Sequence, residues 1–406
     1  MVAVAAGSVV AGKTLANEAP STASRVASRP AGAPHVVERA SSGAEIWQVT
    51  SEEYPQSNIY CEEPYCSVDS RYFVYERRNS NLRPDNPSEF MIVELGTWKQ
   101  HLLDVGVGTT GCAMSPDGMF YYWKRASDRD VDLMRADLAK GETKAVHRLQ
   151  EELVWGCRGG ISPDGRLYAW GKRLDKEFKR FGIFLLDLAK GQETLIDQDP
   201  YIFDPHPHFE PGRGDCLLIQ HNRGGKIALT GKRERGVGPE GATLYLLSIS
   251  DGKRTPLHVG KPYTTPVTGH ESWIGKTGEV ILTVSAQGDY APASGNLLGV
   301  RANQPARRIS RGYSFNHVGV SRCGRLFSSD DWKGPCQLLI GSTRTGKTSV
   351  LCEAKTSRGK GQDAHPHAYL TPDLKWLIFN SDRSGFPHVH AASVPPQVIE
   401  AVASAG

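Results

Sequence analysis

The sequence predicts an all-β protein, a seven-bladed β-propeller whose ring is closed by an N-terminal strand completing the last blade. Three observations carry this expectation. A turn motif recurs along the chain at a near-constant period. Each copy leads into a short strand rich in Tyr, Phe, Trp or Leu. The composition, with 43 Gly, 25 Pro and 5 Met beside 14 Tyr and 8 Trp, suits many short strands and turns rather than helices.

The clearest copies of the motif are Ser115-Pro116-Asp117-Gly118 before Met119–Trp123, and Ser162-Pro163-Asp164-Gly165 before Arg166–Trp170. Thr371-Pro372-Asp373 stands in the same way before Lys375–Phe379. Pro and Asp in these slots fit a type I turn between antiparallel strands. Weaker copies lie at Ser67–Ser70, Gly212–Gly214, Gly275–Gly278 and Ser321–Gly324. That makes seven copies, most of them about 47–50 residues apart. A period in this range, with about four strands per unit, is the mark of a propeller.

The last copy lacks an outer strand. Ala44–Thr50 reads as a free strand at the other end of the chain and is expected to supply it. Such closure also hides sheet edges. The expected organisation is therefore a disordered or signal-like leader over 1–40, the propeller over 41–395 and a C-terminal tail over 396–406. Between the fourth and fifth turns the interval is longer. The surplus is Asn222–Gly241, which carries Arg223, Lys226, Lys232, Arg233 and Arg235. It reads either as a solvated insertion or as a basic lid over an acidic substrate.

At 406 residues the chain is within reach of one large all-β domain. Its net charge is +4, without a dense basic block interleaved with aromatics, so nucleic acid is not an expected partner. No stretch approaches the ~18 apolar residues of a spanning helix, so no membrane partner is expected either. A monomer or small homo-oligomer is expected. None of the eight cysteines forms Cys-x-x-Cys, which argues against a zinc ribbon or a thioredoxin-like motif. They read as buried single thiols, although Cys61 and Cys66 are near enough in sequence to pair in an oxidising compartment. Val2–Ala19 resembles the apolar and cleavage regions of an export signal without its basic leader. This makes a periplasmic or secreted location the expectation, with a cytoplasmic one as the alternative.

The histidines fall unevenly on the repeat. His206 and His208, His270, His317, and His365 with His367 all precede successive turns by a few residues. The strand before such a turn is the innermost of its blade, so these side chains converge on the channel. A stack of imidazoles without a ligand would repel on protonation. In Gln362-Asp363-Ala364-His365-Pro366-His367, an extended strand would place His365 and His367 on one face, with Gln362 swinging in from the loop. His317, Gln362, His365 and His367 form the expected ligand set for a divalent first-row metal, leaving room for water or substrate oxygens. His270 would be a fifth ligand or a general base. His206 and His221 could line the same rim. His388 and His390 share the spacing but read as surface residues of an outer strand.

These residues resemble the oligogalacturonate lyases, a family of seven-bladed propellers that bind a divalent metal, typically manganese. The resemblance covers most of residues 41–395. It rests on Gln362–His367, on Asn316-His317 and on Gly269-His270-Glu271-Ser272-Trp273 in that family's order. It implies β-elimination on an oligouronide, an acidic oligosaccharide. The metal would hold the substrate carboxylate, His270 would take the proton from C5, and the bond from C4 to oxygen would break. No organic cofactor is implied. His206 and His221 fall where the family has His near the substrate. One departure stands out. The family's carboxylate-holding Arg is replaced by Thr243, and Arg233 or Arg235 from the insertion are the expected substitutes. Two other readings stay open: a non-catalytic propeller binding carbohydrate or protein with a retained metal site, and a metal-dependent sugar hydrolase on the same platform.

Overall fold

The turn motif organises the local structure. In the computed structural model the Ser115 hydroxyl bonds the Asp117 carboxylate, and Ser115 Oγ accepts the Met119 N–H at 2.9 Å. Ser162 and Asp164 repeat the bond at 2.5 Å, and Thr371 and Asp373 at 2.7 Å. The fourth residue of each turn is left-handed, at φ +83° in Gly118 and +70° in Gly165. Leu374 holds the same conformation at φ +63°, where no glycine relieves it. The structure describes residues 32–78, 87–107, 110–127, 129–150, 154–259, 266–359 and 361–404. The signal-like stretch at 2–19 lies outside them.

The fold is an all-β propeller. Middle strands such as Met119–Arg125 and Leu167–Arg173 are buried on both faces because neighbouring sheets cover each side. Outer strands such as Gln192–Asp199 are largely exposed. The core therefore lies between sheets. Leu217 and Ile219 pack into one inter-sheet cluster while Leu218, pointing the other way, packs into the next. The first strands of neighbouring sheets touch one another around the centre.

The sheets do not separate into seven. Among the described residues, four are four-stranded, spanning 56–107, 208–256, 267–310 and 315–353, and one is five-stranded. These five stand alone. Strands between Thr110 and Asp199 merge into a single eight-stranded sheet through one parallel bridge, Arg158 to Cys112. Glycine is the cause: a Cβ on Gly159 would lie 2.7 Å from the Gly111 carbonyl oxygen, so only bare backbone allows this approach. A two-stranded ribbon, Lys226–Ile227 with Arg233–Arg235, stands apart.

Glu45–Gln48 pairs with His388–Ser393, bringing Ile46 opposite Ala392. The chain is ordered before residue 41, however. His35–Arg39 forms a further strand against Glu45–Gln48, outermost in the five-stranded sheet, so the expected leader boundary moves towards the N-terminus. The expected tail is also structured. Pro396–Ala403 is a helix that buries Val398 and Val402 against Leu338, Ile340 and Leu351. No described helix is long and apolar enough to cross a membrane.

Candidate metal centre in the channel

The N–H of each turn's first residue bonds a carbonyl at the start of the next strand. Ser67, Ser115, Ser162, Glu210, Ile274, Ser321 and Thr371 all make this bond, at 2.8–2.9 Å. Four residues before them stand Glu63, Gly111, Arg158, His206, His270, His317 and His367. Four successive equivalent positions are thus histidine. Backbone irregularity aims these residues at the channel. Register breaks in the first strands span Gly111, Arg158, His270 and His317. His206 and His367 are instead left-handed, at φ +44° and +42°. A bulge or a left-handed residue re-aims a side chain that regular pleating would send into a neighbouring sheet.

The Gln362–His367 run is consequently not a strand. Gln362–Ala364 is a 3-10 turn, and Pro366, which has no N–H, offers its carbonyl to Asn380 at 2.9 Å. The regular strand begins only at Tyr369. The two imidazoles still converge. Ring centroids lie 4.4 Å apart for His317 and His367, 5.3 Å for His317 and His365, and 5.7 Å for His365 and His367. One ring nitrogen from each of the three comes within 4.8 Å of the other two.

Asp330 organises this group and was not legible in the sequence. Its fully buried carboxylate lies 3.1 Å from His317 Nδ1 through either oxygen, and Oδ1 also accepts the His317 backbone N–H at 2.8 Å. A carboxylate there calls for a proton on Nδ1, which leaves the Nε2 lone pair facing the cluster. His365 Nδ1 and His367 Nε2 are buried with no hydrogen-bond partner. Burial, then the neighbouring His317, pushes both residues below the ordinary histidine range, well below it for His367. Three converging imidazoles, two of them with an orphaned nitrogen, fit a divalent transition metal. Trp332 walls the group at 5.3 Å from His317 and 4.9 Å from His365.

His270 lies beside the cluster, its ring centroid 4.3 Å from that of His317 and tilted 50° to it. A relay of hydroxyls sets its tautomer. Thr283 donates to the Asn316 carbonyl at 2.8 Å, so it accepts from Thr268, and Thr268 accepts from His270 Nδ1 at 3.2 Å. The proton therefore sits on Nδ1 and the Nε2 lone pair is free. Burial first, then His317, holds His270 well below the usual histidine range, so it is neutral near pH 7.

Of the other expected site residues, Gln362 is exposed at the start of its turn. His206 is buried in the channel beneath Tyr60, its Nδ1 2.7 Å from Glu62. His221 is drawn away, with Nε2 3.0 Å from Asp199 and Tyr245 against its ring, and the structure does not bring it to the cluster. Arg233 and Arg235 are exposed on the ribbon; Arg233 reaches Asp204 at 3.5 Å and Arg235 donates to the Gly224 carbonyl at 2.8 Å. Thr243 begins a strand opposite His221. His388 and His390 are buried, not on the surface, because their strand lies between two others. Cys61 and Cys66 are buried free thiols.

A second group lies across Tyr60. Glu62 Oε2 is 2.8 Å from His208 Nε2, an ion-pair contact that leaves the oxygen without an aligned hydrogen bond. Burial alone would raise the Glu62 pKa, but His206 and His208 overcome it and hold this carboxyl well below its usual range. Glu271 is 1% exposed and neither of its oxygens has a partner. Burial and the Glu62 charge push it up to about 8. Tyr60 separates the two groups, 4.5 Å from His367 and 5.7 Å from His206, with the Arg158 guanidinium 4.1 Å over its ring.

Fold and site together define a β-propeller with a metal-competent histidine cluster in its channel. No protein-family model matches the chain. It is 24% identical over 355 residues to an oligogalacturonide lyase of Pectobacterium atrosepticum, covering 75% of this chain and 85% of that protein. An oligogalacturonate lyase of Dickeya dadantii is 24% identical over 355 residues, covering 77% and 85%. Among solved structures, an oligogalacturonate lyase in complex with manganese superposes with a TM-score of 0.69 at 19% identity, over 92% of this chain and 98% of that one. Over most of its length the chain is similar to oligogalacturonate lyases.

Proposed function

We propose that the protein is a metal-dependent lyase that cleaves short oligogalacturonate-like chains by β-elimination. The observation that carries this is the contact of His270, with its free Nε2, against the His317–His365–His367 group. A divalent cation held by those three imidazoles, manganese by analogy with the related complex, would supply positive charge for a substrate carboxylate. Gln362 would join only by turning inward from its exposed position. His270 takes the proton from C5, the electron pair forms the C4–C5 double bond, and the glycosidic oxygen leaves from C4 and acquires a proton. Thr268 and Thr283 hold His270 in the accepting tautomer. With Thr243 in place of an Arg, the exposed Arg233 and Arg235 are the proposed carboxylate holders.

For the scaffold, we read the eight-stranded sheet as two units in contact, giving a ring of seven with Glu45–Gln48 as its closing strand. The seven equivalent turn bonds and the pairing with His388–Ser393 support this.

The test is ultraviolet absorbance of the unsaturated product on incubation with oligogalacturonate, with and without chelator. A chelator-sensitive rise is expected, and His270→Ala should abolish it while bound metal stays unchanged. Thr243 favours one second reading, a carbohydrate-binding propeller without turnover. Saturable oligogalacturonate binding with no absorbance rise in the metal-loaded protein would establish that instead.

A further inference from the structure

We propose that Glu62, His206 and Glu271 form a second divalent-cation site, across Tyr60 from the three-histidine group. One potential ligand atom from each of these residues lies within 4.8 Å of the other two. All three residues are buried. Independently of that spacing, neither Glu271 oxygen has a hydrogen-bond partner. Buried carboxylate oxygens are almost always satisfied, and a Glu271 carboxyl with both oxygens orphaned beside Glu62 and His206 calls for a bound species.

The ligand types narrow that species. Two carboxylates and an imidazole suit a hard-to-borderline divalent cation such as Mn2+, whereas an all-oxygen shell would be expected for Ca2+. The surroundings supply what a bound metal needs around it. The Ser272 hydroxyl donates to the Glu62 backbone carbonyl at 2.7 Å, and His208 Nε2 lies 2.8 Å from Glu62 Oε2, so the glutamate is held from both ends. One of the three ligands, Glu62, is reached from the face that carries the turns. A cavity of about 350 Å3 opens there, and its lining includes Glu62, Glu63, His208 and Ser272. Tyr60 stands between this site and His367, so the two sites are separate. The proposal concerns metal content and does not rest on the lyase reading.

Metal stoichiometry tests it. Full-length protein is stripped with chelator, dialysed to equilibrium against Mn2+ and analysed for metal per chain. Wild type should hold two ions, Glu271→Gln one, and a His365→Ala/His367→Ala double variant one. Glu271→Gln keeps the side-chain shape and removes a buried charge, so it is expected to fold. Thermal unfolding gives a second readout: Mn2+ should raise the Tm of the double variant, but not when Glu271→Gln is added. His206→Asn should reproduce the loss. Unchanged stoichiometry in folded Glu271→Gln, whether wild type holds one ion or two, would overturn the proposal and leave water as the occupant.

Discussion

Replacing Asp330 with Asn tests whether the three-histidine group is a metal centre set up by this carboxylate. Among the described residues, Asp330 hydrogen-bonds His317 and, at 3.9 Å, contacts Cys336 Sγ, so its directional effect falls on one imidazole. An amide of the same size keeps an oxygen for the His317 backbone N–H, now 2.8 Å away. Its NH2 then faces Nδ1 and asks it to accept. The imidazole proton moves to Nε2, the nitrogen meant to bind metal. Loss of such an outer partner typically weakens metal affinity about 10- to 100-fold, or roughly 1.4–2.8 kcal/mol. Calorimetric titration of the stripped protein with Mn2+ should show this loss, confined to the tighter or sole site that His317→Ala also removes. Native circular dichroism should persist. An unchanged Kd in Asp330→Asn, with binding lost in His317→Ala, would refute the tautomer argument.

Acid should weaken the fold through His390. Burial, then Arg383, lowers its pKa to about 3, and its Nε2 has no partner. The unfolded chain protonates this group near pH 6.5 while the folded one stays neutral, so its stability contribution is full above that pH and lost on acidification. At pH 5 the loss is about 2 kcal/mol relative to neutral pH. Urea midpoints of wild type should fall more steeply than those of His390→Gln between pH 7 and 5; parallel slopes would contradict the burial argument. Packing at the centre gives another check. A Cβ on Gly160 would overlap the Pro207 carbonyl oxygen, whereas one on Gly236 would meet nothing. Gly160→Ala should cost about 1–3 kcal/mol by thermal unfolding and Gly236→Ala little, and equal Tm values would show that the inner strands are not in close contact.

Much of this protein could be read locally. Ser, Pro, Asp and Gly in fixed order specify a turn through their own hydroxyl, ring, carboxylate and positive φ, so the repeat was visible without any partner. The phase of the histidines followed, because position relative to a turn sets which end of a strand a side chain occupies. What stayed hidden depends on neighbours distant in sequence. Asp330 meets His317 only because their strands pair, and Glu62 meets His206 and Glu271 from segments distant in sequence, two loops and a strand. Strand alternation assigns a face but not the residue opposite. The same limit misplaced His388 and His390, buried once Glu45–Gln48 covered their strand. It also hid the merging of two sheets, since a glycine's lack of a side chain matters only when another backbone arrives beside it. The sequence by itself determined the turns, the strand rhythm and the histidine phase. Tertiary structure alone decided which carboxylates hold those histidines, because hydrogen bonds and charges act across space and not along the chain.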